Sequence, residues 1–191
     1  MSGDSAPTNL TNHFLIAMPA LDDPMFKRSV TYICEHNAEG AMGIVINHPM
    51  NVSLAELLEQ LEISYDAKSP AAQAKVVAGG PVQHDRGFVL HTAKEGYSSS
   101  MRLNDELMVT TSKDILFDLT TDNAPEKFIL ALGYAGWTAG QLEQEIADNA
   151  WLIIPADSGI IFDLSHAEKW QSATAKIGIK PWQLTNEAGH A

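Results

Sequence analysis

Gly133-Tyr134-Ala135-Gly136-Trp137-Thr138-Ala139-Gly140-Gln141-Leu142-Glu143 follows the apolar run Phe128 to Leu132 and leads into an amphipathic segment. A glycine-rich step from strand to helix is what a phosphate-cradling loop needs. Free amides and the positive end of the helix dipole hold anions there. In this stretch Thr138 and Gln141 stand at capping-box spacing, so each is expected to satisfy an amide internally. Trp137 and Leu142 occupy the two staple positions, and Glu143 and Glu145 add negative charge. No Lys or Arg occurs between Ala131 and Ala150, and the glycine pattern is neither a Walker loop nor a dinucleotide fingerprint. The stretch therefore reads as a structural strand-to-helix turn. Tyr134, Gly136 and Trp137 are left to line a groove for a partner or an uncharged ligand.

Working outward, His13–Ala17, Ser29–Glu35, Gly43–Asn47, Val76–Ala78, Phe88–His91, Leu107–Thr110, Lys127–Tyr134, Trp151–Ile154 and Ile160–Phe162 read as strands. The second and third are expected to form a hairpin around Gly40. Ser53 and Glu56 make a capping box, after which Leu54, Leu57, Leu58 and Leu61 share one helical face. Further helices are expected from Ser112 to about Leu119, from Thr138 to about Asn149 and over Ser165–Lys176. Tyr65–Gln73 reads as a linker and Gly96–Ser100 as a surface loop. Interleaved strands and helices predict a mixed α/β or α+β domain rather than a sandwich, which has no place for the helices. The expected organisation is a disordered lead-in over residues 1–11, one domain over 12–182 and a frayed tail over 183–191.

The composition of the 191 residues, 45% hydrophobic and 19% charged, is that of an ordinary globular domain with a sizeable core. Twenty-four acids against 12 bases give a net charge of -12, which repels phosphate backbones, so direct nucleic-acid binding is not expected. The same charge suits a basic protein partner. The single cysteine, Cys34, excludes an internal disulfide and fits a reducing compartment. With no signal-like or membrane-spanning apolar run, a cytoplasmic location is the expectation. The oligomeric state stays open.

Three segments in this order resemble the bacterial AlgH/YqgE family. They are Cys34-Glu35-His36-Asn37 with Gly40-Ala41-Met42-Gly43-Ile44-Val45-Ile46-Asn47 and Pro49, then Gly79-Gly80-Pro81-Val82, then Gly133 to Glu143. The resemblance runs from about Asn12 to Ile154. It implies a bifurcated mixed sheet curled into a pseudo-barrel with flanking helices. It also implies a proposed role in transcriptional regulation, with no catalytic residues to carry over.

The remaining candidates each have a plain structural reading beside the functional one. On a regular strand Cys34 and His36 point to the same side, which would let imidazolium activate the thiol; the plain reading is a small buried residue. Gly79-Gly80-Pro81 is either a tight crossover or a backbone that approaches a ligand. Phe26, between Asp22-Asp23 and Lys27-Arg28, lies in a solvated loop or marks a contact point. His13, His36, His48, His84 and His91 lack the spacing of a familiar metal site, so neither metal nor cofactor is expected. Two functional readings result. The first is a non-enzymatic regulatory or interaction protein that uses Phe26, Cys34, His36, Gly79, Gly80, Tyr134, Gly136 and Trp137 as its surface and acts on transcription indirectly. The alternative is a thiol-dependent enzyme or redox sensor built on Cys34.

Overall fold

A computed structural model describes residues 9–19, 21 and 23–177. Most of the expected lead-in, the expected tail and Asp22 lie outside the described residues, although Leu10 is buried. In chain order the elements are β1 (His13–Ala17), β2 (Val30–Asn37), β3 (Gly40–Val45), β4 (Pro49–Ser53), α1 (Leu54–Gln60), β5 (Lys75–Ala78) and β6 (Val82–Thr92). They continue with β7 (Ser100–Arg102), β8 (Leu107–Thr110), β9 (Phe128–Thr138), α2 (Gln141–Ala147), β10 (Trp151–Pro155), α3 (Ser158–Phe162) and α4 (His166–Lys176).

Strand β9 is the spine. Its apolar first half is lined on both edges, as a near-continuous hydrophobic run requires. β6 runs antiparallel along one edge, from His91 opposite Phe128 to Val82 opposite Tyr134. Two strands share the other edge. β5 pairs in parallel at Val77–Ala131 and Ala78–Leu132, and β3 then pairs antiparallel from Gly43–Ala135 to Gly40–Thr138. The sheet forks at that point. One branch continues through β2 and β1 to β10, the other through β6 and β8 to β7, and β4 closes on β5. The product is a curled, mostly antiparallel half-barrel with four helices among the described residues, the bifurcated α+β architecture that the resemblance implied.

Contact geometry explains the glycines at the fork. Gly79 donates its N–H to Leu132 O at 2.8 Å, and its carbonyl accepts from Val45 N at 2.9 Å, so one residue stitches both branches. A Cβ on Gly79 would sit 2.3 Å from Gly133 O, and one on Gly80 would sit 2.1 Å from the Tyr134 carbonyl carbon. The close backbone approach read from Gly79-Gly80 is thus made to β9.

Helix α1 begins as the sequence indicates: Ser53 Oγ accepts from Glu56 N at 3.2 Å, and Glu56 Oε1 accepts from Ser53 N at 2.9 Å. Leu54 and Leu58 are buried over Val76, Val89 and Leu130. The main core lies under α3 and α4, with Phe14, Tyr32, Ile44 and Trp170. A third cluster under α2 holds Leu15, Ile33, Trp137, Leu142 and Trp151.

Several expectations are corrected. Gly133 to Thr138 is not a turn, because β9 runs on to Thr138 and α2 starts only at Gln141. Gly140, at φ +78°, is the N-cap, and Thr138 keeps only half of its expected box, its N–H donating to Gln141 Oε1 at 3.0 Å. Strand pairing with β3, rather than helix capping, therefore occupies this stretch. Ile160–Phe162 is helical because Asp157 caps it, accepting from Gly159 N at 2.8 Å. The segment after Ser112 is a 3₁₀ turn over Lys113–Phe117, since the Ser112 hydroxyl donates to Asp114 instead of capping. The short strands β4 and β7 were not anticipated. One opens on Pro49, and the other emerges from a run of serines.

Candidate functional site

Where the fork opens, the end of β9, the starts of β3, β6 and β7 and the end of β8 surround a groove of about 820 Å³. Alternation along β9 sets the division of labour. Ala135 packs inward beneath α2, while Tyr134, Gly136 and Thr138 line the groove. Tyr134 meets Phe88 edge-on, ring centroids 5.5 Å apart at 68°. Met42, Val82, Met101 and Val109 complete an apolar floor, and Ser98 to Ser100, Thr111 and Thr138 supply a hydroxyl rim. One charged side chain lines the groove, Arg86, whose guanidinium carbon lies 5.7 Å from the Phe88 ring centroid. Gly136 is exposed, and a Cβ there would meet only Tyr134 Cε2 at 3.6 Å and Val82 Cγ2 at 4.0 Å. The missing side chain leaves the floor open.

The volume and lining are those of a binding site, apolar with a few polar groups. The lining contains no Cys, His, Asp, Glu or Lys. A nucleophile paired with a base, the usual minimum for acyl or thiol chemistry, is therefore not assembled there. Among the described residues, no three His, Cys, Asp or Glu side chains converge as a metal would require. A smaller depression of about 230 Å³ shares Ala41, Met42 and Trp137 with the groove and carries Glu35 and Glu39, so the groove has an acidic shoulder.

Of the residues singled out in the sequence, Tyr134, Gly136 and Trp137 reach the groove. Gly79 and Gly80 support it from the fork. Cys34, His36 and Phe26 do not enter it. A bulge lies between Ile33 and Glu35, so Glu35 stands opposite Met42 and His36 opposite Ala41. The alternation resets at Cys34, which stays in the main core, while His36 turns to the α2 side. There His36 Nδ1 accepts from Leu10 N at 2.9 Å, so the ring carries its hydrogen on Nε2 and donates it to Glu143 Oε2 at 2.9 Å. That hydrogen bond is the first cause holding the Glu143 carboxyl below its usual range. Burial, then the Glu35 charge, push the Cys34 thiol up to about 12. The thiol–imidazole pair of the functional alternative is not formed, and Cys34 is the small buried strand residue of the plain reading.

Phe26 also has a structural post. Its ring lies 5.6 Å from Trp151 and 6.4 Å from Trp137, the two indoles being 6.2 Å apart. Both indole N–H groups donate to Glu145 Oε1 at 2.9 Å. Trp137 thus belongs to a packed trio and touches the groove only at its rim. Arg86, Phe88, Met42, Met101 and Val109 were missed. Alternation in Phe88-Val89-Leu90 marks a strand but not which face lines a cavity.

Residues 14–182 match the AlgH-like family. The chain is 58% identical to a UPF0301 protein of Pseudoalteromonas translucida over 96% of its own length and 99% of that protein's. It is 56% identical to one of Photobacterium profundum, over 96% and 100%. The solution structure of the AlgH protein from Pseudomonas aeruginosa superposes with a TM-score of 0.79 at 49% identity, covering 100% of both chains. A Corynebacterium diphtheriae protein of 19% identity shares the fold, with a TM-score of 0.71 over 96% of this chain and 92% of the other. With the forked half-barrel, its glycine stitches and these matches in place, the chain belongs to the AlgH-like family.

Proposed function

We propose that this protein is a non-enzymatic regulatory protein that docks a protein partner in the groove at the mouth of the half-barrel. Any influence it has on transcription passes through that partner. The carrying observation is the lining: an apolar floor of about 820 Å³ with hydroxyls, one arginine and no nucleophile–base pair. Such a surface buries apolar side chains well and has little with which to do chemistry.

Charge supports the choice of a protein over DNA. At net -12 the chain repels phosphate backbones and attracts a basic protein surface, with Glu35 and Glu39 waiting beside the groove. A cytoplasmic site of action belongs to the same reading, since the one cysteine is buried and the described fold takes nothing from oxidation.

Gly136→Val tests it. A Cβ at this position meets only the Tyr134 and Val82 side chains at ordinary contact distances and no backbone, so the expected change in thermal stability is within about 2 °C, checked alongside the capture. Affinity capture with quantitative mass spectrometry is expected to lose the protein's specific partner on this single change. Equal capture by both forms would remove the groove from the interaction.

A further inference from the structure

Strand β7 is the last strand of its branch and pairs only with β8. The phase of that pairing is fixed. Thr111 N–H donates to Ser99 O at 2.9 Å, and Leu103 N–H donates to Leu107 O at 2.9 Å. In an antiparallel ladder the residues that bond inward alternate, so Ser99, Met101 and Leu103 face β8 with their backbone groups. Ser100 and Arg102 therefore turn their N–H and C=O outward. Among the described residues no backbone partner meets them.

The edge is held firmly from behind. His91 Nδ1 lies 2.8 Å from Thr92 O, so it is the donor there, and Nε2 must accept from the Thr110 hydroxyl at 2.7 Å. The Thr110 proton is thereby committed, and the Ser100 hydroxyl donates to Thr110 Oγ1 at 2.7 Å. This relay fixes β7 in register without using its outer amides. On the groove side, Met101 stands beside Val109 and is 40% exposed, one of three large hydrophobic side chains so exposed among the described residues. At the far end, the turn after β7 presents Asp105 and Glu106, both exposed and neither in an ion pair among the described residues.

We infer that the partner enters as an extended peptide segment that adds to β7 as a further strand. It places apolar side chains at alternate positions over Met101 and the groove, and a basic residue beside Asp105 and Glu106. Exposed edge amides bond to water until a strand displaces it, and a row of them is a ready template for an added strand. The period-2 alternation of such a strand delivers side chains to a groove on one face. The acidic turn sets the charge of the segment's end. This inference rests on the groove reading and names the segment that fills it.

The probe is a synthetic acetylated peptide with valine at alternate positions, threonine between them and two lysines at one end. Amide hydrogen exchange of the full chain is followed by NMR. At a peptide concentration 100 times its Kd, the Ser100 and Arg102 amides are expected to exchange about 100-fold more slowly, with Met101 unchanged. Ser100→Pro removes one outward donor and leaves the inward bonds of Met101; it should weaken binding about tenfold or more. Should that variant not fold, the exchange pattern of the wild type decides alone. No binding, or shifts at Met42 and Tyr134 without protection of Ser100 and Arg102, overturns the inference. Equal affinity for a peptide ending in two glutamates overturns it too. If the cellular partner is lost on Gly136→Val but kept on Ser100→Pro, the groove reading stands and the added strand falls. If both variants keep it, both fall.

Discussion

Cys34 and His36 stand two residues apart on β2 and face opposite sides of the sheet. One bulge separates a thiol from the imidazole that would have activated it. With the Cys34 thiol pushed up to about 12, the folded protein at pH 8 holds roughly 10³-fold less thiolate than an unfolded chain. Iodoacetamide should alkylate the native protein slower by at least that factor than the protein in urea, read by mass spectrometry. Similar rates in both states would reveal an accessible thiolate and revive a redox role. The same shift carries a sign for stability. A folded pKa above the unfolded one contributes stability in full below about pH 8.5, and this is lost as pH rises toward 12. Tyr32, also raised by burial, acts in the same direction.

The bulge also shows what a sequence withholds. Pattern alone placed the β2–β3 hairpin, the capping box at Ser53 and Glu56 and the strand character of Phe128 to Tyr134, because each depends on neighbours in the chain. The extra residue at Cys34 depends on what β3 offers opposite it. The groove depends on five strands meeting, and Gly140 rather than Thr138 caps α2 because β3 holds β9 extended to Thr138. Met101 and Arg86 sit in polar stretches that look like loop until the curl of the sheet brings them to one cavity.

Gly80 is predicted to tolerate no side chain. The Cβ of Gly80→Ala would lie 2.1 Å from a backbone carbon of Tyr134, and φ there is +155°. Neither backbone can yield without parting the fork, so a loss of roughly 3 kcal/mol or more is expected in urea unfolding. Gly87→Ala is the control. Its Cβ meets Leu130 Cδ1 at an ordinary 3.6 Å, and its effect should lie between neutral and about 1 kcal/mol stabilising. Equal losses in the two variants would show that the close approach at Gly80 is not what selects glycine.

Glu145 is predicted to matter for the tryptophan trio and not for the groove. Its Oε1 takes both indole N–H groups, and its Oε2 takes the Gln141 amide at 3.0 Å. Glu145→Ala strands two donors in a largely apolar cluster and should cost about 1–3 kcal/mol, with a changed near-ultraviolet circular dichroism. Glu145→Gln keeps an oxygen in place and should lose less. If both variants lose the same, the indoles find acceptors elsewhere.

Lys169 is predicted to give the protein an unusual rise of stability with pH. The side chain is 1% exposed, yet among the described residues no carboxylate reaches it. Its Nζ donates to Ile46 O at 3.0 Å and meets His166 Nδ1 at 3.1 Å. Burial pushes Lys169 down from 10.5 to about 7, and burial together with the Lys169 charge pushes His166 down to about 4. Between about pH 7 and 10.5 the unfolded chain therefore binds a proton that the folded chain has released. Proton uptake favours the unfolded state at the low end of this window, so stability climbs as pH rises through it, by at most about 1.4 kcal/mol per pH unit. Cys34 pulls the other way above about pH 8.5, and Tyr32 joins it only above about pH 10, so the climb levels off where Cys34 begins to oppose it. Urea unfolding at quarter-unit steps from pH 7.5 to 8.5, above the range of the buried histidines and below that of Cys34, should show the climb in the wild type and a much flatter line in Lys169→Met. The missing ammonium leaves Ile46 O without its donor, so the variant's absolute stability is no guide and the slope is the readout. An equal slope in both proteins would mean that Lys169 stays protonated in the fold, held by Ile46 and His166 despite its burial.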